Sequence, residues 1–389
     1  MAGLRAILAA GAFSFALGGG AWAQSDPFGA LHESAAPSQA RAPGLQAPLG
    51  AGPTSGPART GAQGLFNAVG ASYSSAEMRG QTTSLAQLSF LPKTVAPLDM
   101  PFKAIQSGYL AKRPRIAIPQ YAIAFVTGYQ SAGSAMGAGS DITPRSTKVT
   151  TTLIGVSDSL KQQLVEEAYA DLLARLKAAG IDVVPAAEVQ AAPHLQKIGR
   201  PEHIRGGDVA RMWTVWNAKD APLIAGFSTD GGLAQSGSLM QLGNVSKELD
   251  AVLLMPIISI DHMDIVNSGR SNYGGQATVQ ADLNFHVSPS YVSFIWGNDR
   301  GGSMPGALVF QRKAAAGELF GILYKTDDRS DSKALHNAMA EAGFGSIYRQ
   351  SIVYGAEVVP ERYAALTRAA FQGVNQTIVD QILRARAGK

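Results

Sequence analysis

Apolar and polar positions fall into distinct regimes along this 389-residue chain. From Ala6 to Gly20 no residue is charged, and Ala, Leu, Phe and Gly dominate. Residues 24–64 carry few large apolar side chains, and Pro37, Pro43, Pro48, Pro53 and Pro57 recur through them. Such a segment cannot bury enough surface to offset chain entropy, and it reads as a disordered linker. Residues 65–115 have modest apolarity broken at Pro92, Pro97 and Pro101, and are read as poorly defined and partly ordered. From Ile116 onward, segments with periods of two and of three to four residues follow one another.

The stretch Ile116–Tyr129 is β-branched and aromatic and predicts a strand, with Pro119 near its start. Gln130–Ser140, rich in Gly, Ser and Ala, predicts a loop; it lacks the GK[ST] ending of a phosphate loop. Thr147–Val156 predicts another strand. Ser157 or Asp158 then caps a helix in which Leu160, Leu164, Ala168, Leu172 and Leu176 repeat every fourth position, widened by Val165 and Leu173. Gly180 stops that helix, and Ile181–Val184 begins a short strand ended by Pro185. Residues 186–247 read as polar turns around Trp213 and Trp216, whose spacing of three suggests one helical face in the core.

Leu249–Ile260 is apolar without alternation, as a strand buried on both faces should be, although Pro256 implies a bulge or an edge. Residues 267–276 (NSGRSNYGGQ) predict a turn. After it Ala277, Val279, Ala281, Leu283, Phe285 and Val287 alternate with Thr278, Gln280, Asp282, Asn284 and His286, a strand with one dry and one wet face. Tyr291–Trp296 and Leu319–Tyr324 predict further strands. Ser332–Ala342 and Glu361–Ala385 predict helices, with Pro360 in the first turn of the second. The fold class expected is α/β, with α+β as the alternative: a mixed β-sheet with amphipathic helices packed on it, formed by residues 116–389. No internal repeat is apparent.

Composition narrows the functional classes. Cysteine is absent, which removes disulfides, thiolate nucleophiles and thiolate metal ligands. Lys and Arg number 33 against 29 Asp and Glu, and no basic cluster of the kind that tracks phosphates occurs, so no nucleic-acid partner is expected. The amino-terminal pattern points to export. Arg5 precedes the apolar run and Ala21-Trp22-Ala23 follows it, a small-x-small cleavage site. The run, about 15 residues, falls short of the roughly 20 of a membrane-spanning helix. Residues 1–23 are therefore read as a cleavable signal peptide, and the mature protein is placed in the periplasm or at the outer membrane. No Cys stands at the cut, so it is not a lipoprotein.

Asp158–Val184, Leu249–Ile260 and Gly269–Val287 follow an order of strand, capped helix, short strand, buried strand, Gly-rich turn and alternating strand. In this order the chain resembles the CsgG-type and TolB N-terminal-like periplasmic domains. The resemblance implies a structural, oligomeric role in secretion or in assembly of surface structures, without catalysis. Two features depart from that pattern: the lipidation Cys is missing, and Pro289-Ser290 stands where a D-x-x-T-G phrase usually follows the alternating strand.

Candidate chemistry is sparse. Asp261-His262-Met263-Asp264 closes the buried strand, and strand ends in α/β sheets often carry sites. In an extended chain only His262 and Asp264 share a side, and two ligands fall short of a zinc site, so a solvated turn is expected there. His194, His203, His286 and His336 show no metal-binding spacing. Asp327, Asp328 and Asp331 miss the calcium-loop pattern and fit a capping cluster before Ser332. Gly133-Ser134 and Gly237-Ser238 lack the glycines of a nucleophile elbow, and Ser330 with Lys333 forms an SxxK without its companion motifs. Trp213 and Trp216 beside Arg211 can be drawn as an aromatic sugar platform. The strand 277–287 is long enough to cross an outer membrane, but Asp282 and Arg300 make no lipid belt.

No catalytic, cofactor-binding or metal-binding residue is assigned, and no cofactor is expected. The function expected is that of an exported envelope protein acting through other envelope proteins, as a homo-oligomer or in peripheral contact with the outer membrane. Two alternatives stand beside it: an exported hydrolase whose site is assembled from distant residues and is not readable from the sequence, which needs a deep pocket around Asp261, His262 or Asp264, and a soluble periplasmic ligand- or peptidoglycan-binding protein using Trp213 and Trp216.

Overall fold

In the computed structural model the described residues are 59–61, 63–67, 72–74, 85–136, 144–200, 204–207, 211–224, 236–268, 278–298, 302–315, 318–328 and 348–388. All belong to the unit Arg41–Lys389. The expected signal peptide (1–23), the helix at Ser332–Ala342 and most of the expected linker lie outside them.

The first half of the chain contributes β1 (Arg59–Gly61), β2 (Gln63–Asn67), β3 (Ser72–Ser74), α1 (Leu85–Ser89), β4 (Phe102–Ile105), a 3-10 turn (Ser107–Ala111), β5 (Arg115–Ala117), β6 (Ala122–Met136), β7 (Pro144–Ile154) and α2 (Asp158–Ala178). Next come β8 (Asp182–Val183), α3 (Ala186–Ala191), α4 (Pro193–Gln196), β9 (Ile204–Gly207), β10 (Arg211–Asn217) and α5 (Ser236–Glu248). The remainder is β11 (Ala251–Ser268), β12 (Thr278–Val287), β13 (Ser290–Gly297), β14 (Ser303–Phe310), β15 (Lys313–Ala314), β16 (Gly321–Asp328), β17 (Tyr348–Val358) and α6 (Pro360–Arg386).

β11 is the hub of a mixed sheet, and its partners change on both edges. On one edge Ala251–Leu253 runs parallel to β5 and Ile257–Ile260 parallel to β6. On the other, Leu253–Ile257 is antiparallel to β13 and Ile260–Ser268 antiparallel to β12. Pro256 falls opposite the gap between β5 and β6, where neither supplies a ladder partner, so the missing N–H is tolerated in a central strand. From β6 the sheet extends through β10 to β9 on one side, and through β7, parallel β17, β16 and β1 on the other. β12 carries β2 and β3 on its outer edge, and β13 carries β14 and β4.

Helices cover both faces, which is why β11 shows no polar alternation. Val252, Leu254, Ile258 and Ile260 point into a core shared with Leu164, Ala168 and Leu172 of α2 and Leu366, Ala370, Val374 and Ile378 of α6. Ala251, Leu253, Met255 and Ile257 point into a second core with Leu242 and Val245 of α5. The end signals read from sequence are present: the Ser157 hydroxyl accepts the Leu160 N–H at 3.2 Å, and Gly180 closes α2 with φ of 68°. α6 runs from Pro360, as its periodicity requires.

Several expectations are corrected. The loop drawn from Gln130 is strand as far as Met136, and the first two residues of the turn drawn from Asn267 belong to β11, which continues to Ser268. Strand structure begins within the stretch read as linker, since Arg59–Gly61 pairs with β16 and Gln63–Asn67 with β12. The polar-turn reading of 186–247 missed α5. Its Gly243 lowers helix propensity but admits close packing, because a Cβ there would lie 1.8 Å from the Ser303 hydroxyl. Trp213 and Trp216 stand on strand β10, not on a helix. Trp216 packs on the α2–α6 side and Trp213 on the α5 side, so they form no shared platform.

One buried amide ties the α2–α6 layer to the sheet. Asn375 Nδ2 donates to the Ala168 carbonyl and to Asp171 Oδ2, both at 2.9 Å, and Oδ1 accepts from the fully buried Tyr121 hydroxyl at 3.0 Å. Asn375→Leu strands that hydroxyl in an apolar layer, an expected loss of about 3 kcal/mol in urea unfolding. Adding Tyr121→Phe to Asn375→Leu is expected to recover part of the loss, since the orphaned donor goes with it.

Candidate functional site

Where β11 passes from β13 to β12, the chain between those two strands, Ser288-Pro289, cannot continue a ladder. Serines fill the gap. The Ser288 N–H donates to the Ser259 carbonyl at 2.9 Å, the Ser259 N–H donates to the Ser290 hydroxyl at 2.8 Å, and that hydroxyl donates to the Ser288 carbonyl at 2.9 Å. All three serines are buried. This seam is the floor of the most concentrated polar cluster among the described residues.

A carboxylate sits at its centre. Asp261, 1 % exposed, lies at a bulge in the β11–β12 ladder, between Asp261 and Met263. Its Oδ1 accepts the backbone N–H groups of His262 at 2.7 Å and Met263 at 3.2 Å, which is how the bulge is held. Its Oδ2 accepts from the hydroxyl of Tyr129 on β6 and from Ser288 at 3.2 Å. The guanidinium of Arg211 on β10 stands 3.4 Å from Oδ2 and also donates to the hydroxyls of Ser259 at 3.0 Å and Ser288 at 2.8 Å. His286 Nε2 of β12 lies 3.4 Å from the same oxygen. Beyond His286, Asp264 pairs with Arg312 and accepts from Asn284 Nδ2 at 2.8 Å.

Burial pushes the Asp261 carboxyl up, but the charges of His286 and Arg211 and the hydrogen bond from His286 together outweigh it. Asp261 is held well below the usual carboxylate range. Tyr129 is pushed well above the usual phenol value, by burial first and by the Asp261 charge second. The hydroxyl therefore stays protonated and donates.

The sequence reading located Asp261, His262 and Asp264 but misplaced them. They lie inside β11 and not in a solvated turn at its end; Asp261 and His262 are buried, and Asp264 is half-buried. The bulge also breaks strict alternation, so Asp261 and Asp264 both approach His286, with Asp264 Oδ1 3.7 Å from Nδ1. His286, read as part of a wet strand face, is 4 % exposed. Arg211, read as a neighbour of the tryptophans, reaches Asp261 instead. Tyr129, Ser259, Ser288, Ser290 and Arg312 carried no local motif; they come from four separated segments. His194 lies elsewhere, paired with Glu248 at the surface. Asp327 and Asp328 close β16, with side chains outside the described residues, as are Asp331, Ser330, Lys333, His203 and His336.

The arrangement is a closed ion network. Ser288 donates to the carboxylate of Asp261, and among the described residues no serine of the seam donates to a histidine nitrogen. Among the described residues no three His, Cys, Asp or Glu side chains are disposed to hold a metal ion. No family model, curated protein or solved structure matches this chain.

Removing the central charge tests the network. Asp261→Asn leaves Arg211 and Arg312 facing each other with one carboxylate fewer, and the expected loss is about 3–5 kcal/mol in chemical denaturation. Combining Asp261→Asn with Arg211→Met is expected to cost less than the sum of the two single changes.

Proposed function

We propose that this chain is an exported, non-catalytic component of the cell envelope that works by assembling with copies of itself and with other envelope proteins. The observation that carries this reading is the geometry of the β11–β12 hairpin. β11 is 18 residues long, where about six is usual for a strand. Beyond Ile260 its described partner on the β6 edge stops, while β12 continues beside it to Ser268. With β2 filling the far edge of β12, the β11 edge beyond Ile260 is the one suited to strand addition by another chain. The export pattern at residues 1–23 places this surface where envelope partners are, and the order of elements resembling CsgG-type periplasmic domains supports the same class of role.

The polar cluster favours this reading over an exported hydrolase: Asp261 and Ser288 are committed to neighbours inside the protein. The opposite facing of Trp213 and Trp216 removes the stacked pair that a peptidoglycan- or sugar-binding groove was expected to use. Among the described residues no helix is long and apolar enough to cross a membrane.

Expressed from its own amino terminus, the mature protein is expected to begin at Gln24 and to fractionate with the envelope. On light-scattering sizing columns in mild detergent it is expected to run as a defined multimer. A monomer in the soluble periplasmic fraction, or a chain retaining Met1 in the cytosol, overturns the proposal.

A further inference from the structure

His262 is the one member of the cluster that the network does not use. Its imidazole is fully buried, and neither ring nitrogen has a hydrogen-bond partner of normal geometry among the described residues. It lies directly beside Asp261 on the bulge and against the ring of Tyr129, with centroids 6.1 Å apart. The titratable and charged groups around it come from every element packed there. They are Tyr129 from β6, Arg211 from β10, Asp261 and Asp264 from β11, and His286 from β12. Arg312 after β14 and Tyr363 of α6 stand behind these.

With His262 neutral, two carboxylates face the two guanidinium groups of Arg211 and Arg312, and each carboxylate already has a cationic neighbour. A cation on His262 meets the Val126 backbone and the charge of Asp261, which is already shared with Tyr129, Ser288 and Arg211. It adds repulsion from Arg211 and His286 at a position where the imidazole itself is fully buried.

We propose that His262 is the proton sensor of an acid-opened latch: uptake of one proton by its imidazole frees Arg211 from Asp261 and releases β12 from β11 at the Ser288–Asp261 junction. Opening starts at the seam, because between the β12 and β13 ladders one backbone bond, serine hydroxyls and one guanidinium hold it shut. The proposal goes beyond the assembly role above and stands or falls apart from it.

The sign follows from linkage. Burial first, with further lowering from His286 and Arg211, holds His262 down at about 4 in the closed form, although Asp261 and the Val126 backbone act the other way. In the open form the imidazole returns to about 6.5. The open form therefore binds the proton more tightly, and opening grows as pH falls from about 6.5 toward 4. Between pH 7.5 and pH 5 the opening equilibrium is expected to rise about 30-fold. Asp261, held low, stays ionised throughout that window.

Hydrogen exchange on the full chain, corrected for intrinsic rates, reads this directly. At pH 5 the amides of 278–290 are expected to lose about 30-fold in protection relative to pH 7.5, while those of α2 and of 211–217, which pair with β6 and β9, do not change. His262→Gln is expected to abolish the response and His286→Gln to retain it. The same loss in His262→Gln, a response that disappears only with His286→Gln, or a loss spread evenly over α2 overturns the proposal. Should His262→Gln not fold, histidine-labelled NMR of the unaltered chain decides. An imidazole titrating between about 4 and 6.5 together with the β12 amides supports the latch. One that titrates while those amides stay protected overturns it.

Discussion

Every backbone amide of a strand buried between two helical layers must find a partner on one edge or the other, and β11 meets that demand with four different strands. On each edge one partner stops and another starts. Wherever that happens the ladder drops bonds that water cannot replace, and something else must supply them. At one hand-off the structure places Pro256, which has no N–H to satisfy. At the other it places Ser259, Ser288 and Ser290, whose hydroxyls and carbonyls close the gap. The polar cluster is best understood as the enlargement of that second repair: once serines are buried at the seam, Arg211 orders their hydroxyls, and Asp261 balances Arg211.

How much of this was legible depended on whether the signal was local. α2 and α6 could be read because their apolar residues recur every third or fourth position and because Ser157, Gly180 and Pro360 mark ends. β11 and β12 could be read because burial on two faces and on one face leave different patterns. The extension of β6 through Gln130–Met136 could not, since Gly, Ser and Ala have little intrinsic strand preference and take their conformation from β7 alongside. Trp213 and Trp216 were misassigned because a spacing of three fits a helix as well as two faces of a strand. The Asp261–Asp264 group looked like a turn because the cation that makes its burial tolerable, Arg211, lies in another part of the chain.

A buried cluster of this kind is usually examined as an active site. Here the hydrogen-bond directions argue for a structural clamp: the serine that might attack is a donor to Asp261, and the histidine that might serve as base beside it contacts the same carboxylate oxygen. Outside the clamp, among the described residues, β11 runs on beyond Ile260 beside β12.

The amino-terminal strands have a kinetic consequence. β1 docks on β16 (Arg59 opposite Tyr324) and β2 on β12 (Gly64 opposite Ala281), so their pairing closes some of the longest loops among the described strands. A polypeptide made from its amino terminus must hold those segments without partners until β12 and β16 have followed. Their attachment is then a late event, and a chaperone that shields the early-emerging stretch has that whole interval in which to act.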